Sequence, residues 1–199
     1  MILRPRRDSG FSAVELLIVV AIIGSMAAIG LPLSSGMIDD MKMRGDAQGL
    51  SAAVAQTKLT AAAKFTHARL FVNLSQNTYR IQIWNRTGTP GWVNANEGQF
   101  LSDRSQFGFG SATAPPPNTQ VSLAQAAACR DDLGVDIPST ACLIFSSRGT
   151  SVTAAGPPAT TQAVYLAGPS GTFGIILGAA GQLQVWHTTQ AGVSAWKQR

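Results

Sequence analysis

Glu15 is the side chain of this 199-residue chain whose position is chemically most unusual. It stands directly before an uncharged, mostly apolar run, residues 16–33, and the next charged residue along the chain is Asp39. A carboxylate at the edge of an apolar segment is costly in free energy, so it is usually paired with a cation or protonated. We therefore expect Glu15 to have a cationic partner.

A short basic leader precedes Glu15. Its positive charges are Arg4, Arg6 and Arg7. Gly10 and Phe11 follow the leader, and Glu15 comes four residues after Phe11, just before the apolar run. This order resembles the class III signal of type IV prepilins and type II secretion pseudopilins. The resemblance implies that an aspartyl prepilin peptidase in the membrane cleaves after Gly10 and methylates the new amino terminus at Phe11.

The same resemblance gives Glu15 a partner, the amine of Phe11 on a neighbouring subunit of a filament. Pro32 stands where the long helix of the family often carries a proline. A proline there removes one intrahelical hydrogen bond and permits a kink or local melting, so we expect an interruption near it. Ser12 and Ala13 replace the Thr and Leu that are usual in the family. The implied partners are the prepilin peptidase, other pilin or pseudopilin subunits and the inner membrane.

Two other interpretations of the N-terminal region are a secretory signal peptide, cleaved near Ala27-Ala28, and a plain single-span anchor over residues 16–33. A carboxylate between the basic leader and the apolar run argues against the first, and the second leaves Gly10-Phe11 unexplained. The basic leader predicts an N-terminus in the cytoplasm. The chain after Pro32 would then be periplasmic, and later part of a filament or the cell surface.

The composition is typical of a β-rich extracytoplasmic domain. Charged residues make up 13% of the chain and the net charge is +5. Loss of the leader, with three Arg and Asp8, would leave 5 − 2 = +3. That charge is too small to indicate nucleic-acid binding by itself. The sequence beyond residue 33 is long enough for one domain with its own core.

The two cysteines, Cys129 and Cys142, have twelve residues between them. In an exported domain a pair at this spacing favours a disulfide. The alternative is two buried free thiols. A metal site is disfavoured because no His lies near either cysteine and two thiolates alone make a poor zinc site.

Residues 11–65 are predicted to form one long helix. Its second half is amphipathic, with residues of one stripe recurring at spacings of three and four. They are Met43, Ala47, Leu50, Val54, Thr57 and Ala61. These side chains are mostly small, so we expect a flat surface, a β-sheet, to pack on them.

From Arg69 the hydrophobic period changes to two, which predicts strands. Residues 69–74 and 79–84 read as a hairpin, and 85–98 and 102–120 as long loops. Residues 121–129 fit either a short helix or a strand. Further strands are predicted at residues 142–147, 162–167, 173–177 and 182–188, as an antiparallel meander. The predicted fold is α+β, with leader 1–10, membrane and assembly half-helix 11–33, amphipathic half-helix 34–68 and a β-rich domain 69–199.

The C-terminal third carries a second, weaker resemblance, to the GspH/FimT-type minor pseudopilins and pilins. It rests on Phe145-Ser146-Ser147-Arg148-Gly149, on the strand 164–166 and on the closing strand pair over residues 175–186. Some pilins of this group bind DNA through basic residues near the C-terminus. The matching residues here are Trp196, Lys197 and Arg199, with a frayed, solvated tail as the alternative.

No catalytic constellation is recognisable in the sequence. His67 and His187 are the only histidines, and no pair of carboxylates has a spacing suited to acid–base catalysis. We therefore expect no enzyme activity, no cofactor and no metal. The sequence favours a minor pilin or pseudopilin with a role in filament initiation or at the filament tip. The alternative is a binding module for DNA or a surface, acting through loops 85–120 or the C-terminal tail.

Overall fold

The computed structural model describes residues 12–189 and 196–199, with the side chains of residues 27–35 left outside that description. One helix, α1, spans Ala13–Ala63. Ser12 precedes it, and its hydroxyl accepts a hydrogen bond from the Val14 amide, 3.3 Å away. This contact is a helix N-cap, which satisfies an amide that has no partner within the helix. At the other end Phe65 adopts a positive φ of 51° and the chain leaves the helix.

The helix is continuous through Pro32, so the expected interruption there is wrong. A proline removes one helical hydrogen bond and crowds the carbonyl four residues before it, but the backbone hydrogen bonds on either side of it can still form. The chain divides into two compact units, Met1–Ile38 and Asp39–Arg199. The helical residues up to Ile38 belong to the first unit and those from Asp39 to the second.

The second unit contains two antiparallel sheets, which we call sheet one and sheet two. Sheet one is six-stranded, with spatial order β3-β2-β1-β6-β7 and β4 paired to β2. Its strands are β1 (Ala68–Asn73), β2 (Thr78–Asn85), β3 (Gly91–Asn94), β4 (Gln99–Phe100), β6 (Thr140–Phe145) and β7 (Ser151–Val152). The hairpin β1–β2 agrees with the sequence, and its register places Leu70 opposite Ile81.

Sheet two is five-stranded, with spatial order β11-β10-β9-β8-β5. Its strands are β5 (Gln106–Phe107), β8 (Gln162–Gly168), β9 (Gly171–Leu177), β10 (Leu183–Thr188) and β11 (Lys197–Gln198). The meander β8–β9–β10 matches the prediction. The strand at 140–145 does not join it, because it pairs with β1 at the centre of sheet one.

The amphipathic stripe of α1 packs in the main core, as the sequence predicts. All six of its residues are buried and belong to the same cluster or lie beside it: Met43, Ala47, Leu50, Val54, Thr57 and Ala61. The cluster also takes alternate residues of both sheets, including Leu70, Leu143 and Val164. Two sheets and one helix therefore share one core in the second unit.

The opposite face of each sheet is covered by loop segments. On sheet one, Phe71 and Ile144 pack with the disulfide, and on sheet two Tyr165 and Ile176 pack with Trp196. The central strands are therefore buried on both faces and read as nearly unbroken apolar runs.

Three sequence interpretations of the loops need correction. Loop 85–98 contains β3, and loop 102–120 contains β5. Residues 121–129 form neither helix nor strand. Gln125 in that segment accepts from the Tyr165 amide and donates to its carbonyl, and the Ala126 amide donates to the Ala163 carbonyl. Side-chain and isolated backbone hydrogen bonds together hold the segment without a regular strand ladder.

Candidate assembly and binding sites

Glu15 lies in the first turn of α1 and is exposed in the single chain. A carboxylate in this position is favoured by the unpaired amides and the dipole of the helix N-terminus. Gly10 and Phe11, the predicted processing site, lie outside the described residues. The predicted ion pair between Phe11 and Glu15 of neighbouring subunits therefore stays a prediction.

The helix around Glu15 exposes apolar side chains on every side. Val14 is 63% exposed, Leu17 68% and Met26 70%, and the residues between them are exposed as well. An apolar surface that surrounds a helix needs an apolar environment from outside the chain. Among the described residues, no helix is long and apolar enough to span a membrane. Pro32 lies on the helical backbone in the same unit.

The predicted disulfide is present. Cys129 and Cys142 are bonded and buried, with their Cα atoms 5.0 Å apart. The bridge ties the irregular segment before residue 130 to β6, and the Cys142 amide donates to the Ala127 carbonyl beside it. It thereby fixes the cover over the outer face of sheet one.

The C-terminal residues singled out for DNA contact are not equivalent. Trp196 is only 8% exposed, and its indole donates to the Ala114 carbonyl 2.9 Å away. A buried indole cannot stack on a base, so Trp196 is a core residue in this structure. Lys197 and Arg199 are exposed. Lys197 lies on β11, which pairs with β10, so the frayed-tail alternative is wrong for residues 197–198.

Part of the loop region expected to form a binding surface packs against sheet two. Tyr165 donates to Gln120, 2.7 Å away, and Thr172 donates to the Phe109 carbonyl at 2.9 Å. Burial raises the pKa of the Tyr165 hydroxyl, which keeps it protonated as a donor. Residues 109–120 are thus held against the outer face of sheet two.

The two histidines occupy different places. His67 is half-buried immediately before β1, and His187 is buried in β10 against Phe173, with ring centroids 4.3 Å apart. Burial is the main cause that lowers the pKa of His187 below 6.5. No group of His, Cys, Asp and Glu among residues 12–189 and 196–199 has an arrangement that could hold a metal ion.

Sequence reasoning missed Arg69, which it treated only as the first residue of a strand. Its side chain lies on the outer face of sheet one and is 3% exposed. The guanidinium carbon is 4.1 Å from the ring centroid of Trp92. The strand pattern could have indicated this position. Leu70 and Val72 alternate towards the core, so Arg69 lies on the opposite face of the same strand.

Comparison with known proteins gives a structural likeness only. No protein-family profile matches the chain, and no curated protein matches its sequence. Two solved structures of the minor pseudopilin EpsH from the type II secretion system of Vibrio cholerae are similar to it. The chain is similar in fold to a minor pseudopilin.

One EpsH structure gives a TM-score of 0.46 and 11% identity over 72% of this chain and 95% of its own. The other gives 0.45 and 12% over 79% and 99%.

Proposed function

We propose that the chain is a minor pilin or pseudopilin, a structural subunit that enters a type IV pilus or a type II secretion pseudopilus through its N-terminal helix. The observation that carries this proposal is the exposed apolar surface of α1 over residues 14–26, whose one carboxylate is Glu15 near the capped N-terminus. A filament interior made of such helices would bury the apolar side chains and give Glu15 a cation.

The physical role proposed for Glu15 is axial register. Inside a bundle of apolar helices its charge is compensated at only one height, where the Phe11 amine of the adjacent subunit stands. Breaking one partner of a buried ion pair costs about 3–5 kcal/mol. This cost would make misplaced subunits rare.

Before assembly the inner membrane would hold the same apolar segment, with the leader in the cytoplasm and the unit Asp39–Arg199 outside. Retention by the membrane is part of this proposal and rests on the uncharged run of residues 16–33. A role in filament initiation or at the tip is proposed from the resemblance to minor subunits. Deletion of the gene should then reduce the number of filaments more than their length.

The test is Glu15→Ala in the native organism. The variant should remain membrane-bound and be cleaved to a chain that begins with methylated Phe11, as intact mass would show. Its amount in sheared filaments should fall at least about tenfold, because the lost pair is worth several kcal/mol. Glu97→Ala is the matched control, since Glu97 is the other glutamate of the chain and is exposed in a loop.

Normal incorporation of Glu15→Ala would refute the role of Glu15 in register. A mature chain that begins near Gly30 would refute the family assignment, because it would indicate ordinary signal peptidase. These two results are separable, since the first concerns assembly and the second concerns processing.

A further inference from the structure

A cavity of about 280 Å³ opens on the outer face of sheet one, and we call it the arginine cavity. Strand residues Arg69, Trp84 and Trp92 line one side of it. The disulfide-bridged segment lines another side with Arg130, Asp131, Asp132 and Gly134. It lies on the side of the sheet away from the main core, within the unit Asp39–Arg199.

Arg69 places a buried positive charge in this wall. Its Nε donates to Gln82 Oε1 at 2.7 Å and its Nη1 to the Arg130 carbonyl at 2.6 Å. These two bonds use part of a guanidinium that carries five N–H donors. Desolvation is the main cause that lowers the pKa of Arg69 to about 10, with the charge of Asp132 acting in the opposite direction. The side chain therefore stays cationic at neutral pH.

No carboxylate makes an ion pair with Arg69 in the part of the chain that the structure describes. The ion pairs found there are Arg44–Asp40, Arg104–Asp39 and Arg130–Asp136. Arg69 is compensated only indirectly, by the charge of Asp132 and by the rings of Trp92 and Phe71, which lie 4.1 and 5.6 Å from the guanidinium carbon. A buried cation without a direct carboxylate contact is costly in free energy. Arginine also matches a carboxylate geometrically, because its planar fork donates two parallel hydrogen bonds.

Two aspartates, Asp131 and Asp132, line the cavity and accept hydrogen bonds from backbone amides. Asp132 Oδ1 accepts from the Trp92 amide at 2.9 Å. Asp131 Oδ1 accepts from the amides of Leu133 and Val135, at 2.9 and 2.8 Å. These bonds shape the loop that forms the wall.

The remaining lining is mixed, with the polar residues His67 and Thr153 beside aromatic and apolar ones. Trp84 and Trp92 meet edge to face with ring centroids 5.3 Å apart, and Ile144 lies beside them. Indole rings supply flat, rigid surface against which another flat group packs well. The volume is just below that of a typical small-molecule pocket, which limits a ligand to about one ring.

We propose that the arginine cavity binds a small organic monoanion, with its carboxylate on Arg69 and its flat apolar body against Trp84 and Trp92. This proposal is independent of filament assembly, since no residue of α1 lines the cavity.

The test is a titration of the full-length oxidised chain in detergent with benzoate, monitored by the indole N–H signals in NMR spectra. Benzoate should shift the signals of Trp84 and Trp92 in a saturable way and leave those of Trp186 and Trp196 in place. Benzamide keeps the ring without the charge, and acetate keeps the charge without the ring. Each should bind at least about tenfold more weakly than benzoate, since a charge-assisted hydrogen bond or the stacking of a ring is lost.

Arg69→Gln should abolish the benzoate response. Arg80→Gln is the matched control and should keep it, because Arg80 stacks on Phe71 from the same sheet but does not line the cavity. If Arg69→Gln fails to fold, the comparison of benzoate with benzamide on the unaltered chain decides alone. Equal binding of the two, no saturable shift of Trp84 or Trp92, or normal binding by folded Arg69→Gln would overturn the proposal.

Discussion

Replacing Leu50 with alanine tests whether the second half of α1 is an integral part of the β domain. Leu50 is 0% exposed and belongs to the main core. The substitution removes three carbon atoms, worth about 2.4 kcal/mol at about 0.8 kcal/mol each. A cavity term adds to this, and measured Leu→Ala costs in cores run from about 2 to 5 kcal/mol.

The local packing places the expected cost above the transfer term alone. At the neighbouring Gly49, an added Cβ would lie 3.0 Å from the Tyr79 hydroxyl, so helix and sheet approach closely there. Burial raises the pKa of that hydroxyl, because the charged form would be poorly solvated there. Because little space remains for neighbouring groups to move inward, we expect a loss of about 3–4 kcal/mol for Leu50→Ala.

The assay is denaturant unfolding of a fragment spanning residues 35–199. In thermal unfolding the loss corresponds to a fall of about 6–16 °C for a domain of this size. The matched control is Leu59→Ala, the same substitution on the same helix at a side chain that is 69% exposed. The control should change stability by less than about 0.5 kcal/mol. Equal effects of the two variants, or a loss below about 1 kcal/mol for Leu50→Ala, would refute the packing argument.

Three further predictions concern the same domain. The fragment 35–199 should be soluble, monomeric and β-rich by circular dichroism, because the buried stripe of α1 remains in it; an unfolded fragment would show that the first half-helix is needed for folding. Replacing both Cys129 and Cys142 with serine should lower the free energy of unfolding by about 3 kcal/mol, as expected for a loop of this length. An unchanged denaturation midpoint of this double variant would contradict the stabilising role of the disulfide. Thiol labelling of the denatured, unreduced wild type should be negative. Stability should fall as the pH drops from 6.5 towards the lower folded-state pKa of His187, because the unfolded chain binds a proton there that the folded chain does not. Burial and the charges of Arg199 and Arg44 lower that pKa, whereas the Ser170 backbone hydrogen bond and the charge of Asp40 raise it. His187→Gln should flatten the dependence of stability on pH, and an unaltered dependence would exclude His187 as its cause.

Local sequence patterns predicted the elements whose periodicity is regular. The stripe from Met43 to Ala61 recurs at helical spacing, and all of it is buried. The hairpin β1–β2 and the meander β8–β10 also agree with the sequence, because their strands are continuous and their turns short. The disulfide was one of two open alternatives, and the structure contains it.

The short strands β3, β4, β5, β7 and β11 were not predicted. Each has two to four residues, which is too short to show a period. They form because a neighbouring strand offers unpaired backbone groups, as β10 does for β11. The division of strands between two sheets was missed for a different reason. β6 pairs with β1 across about seventy residues of chain, and a local pattern does not indicate so distant a partner.

Patterns among nearby residues were enough to recognise the basic leader, the lone Glu15 before an apolar run, the amphipathic helix and the regular hairpins. Their signals lie within a few helical turns or one strand pair, so no long-range contact is needed to recognise them. The core position of Trp196, the covering of both sheets by loops and the cavity beside Arg69 became visible only in the folded chain. Those features depend on which segments, distant in sequence, meet on the outer face of a sheet. A local sequence pattern does not indicate which distant segments will be in contact.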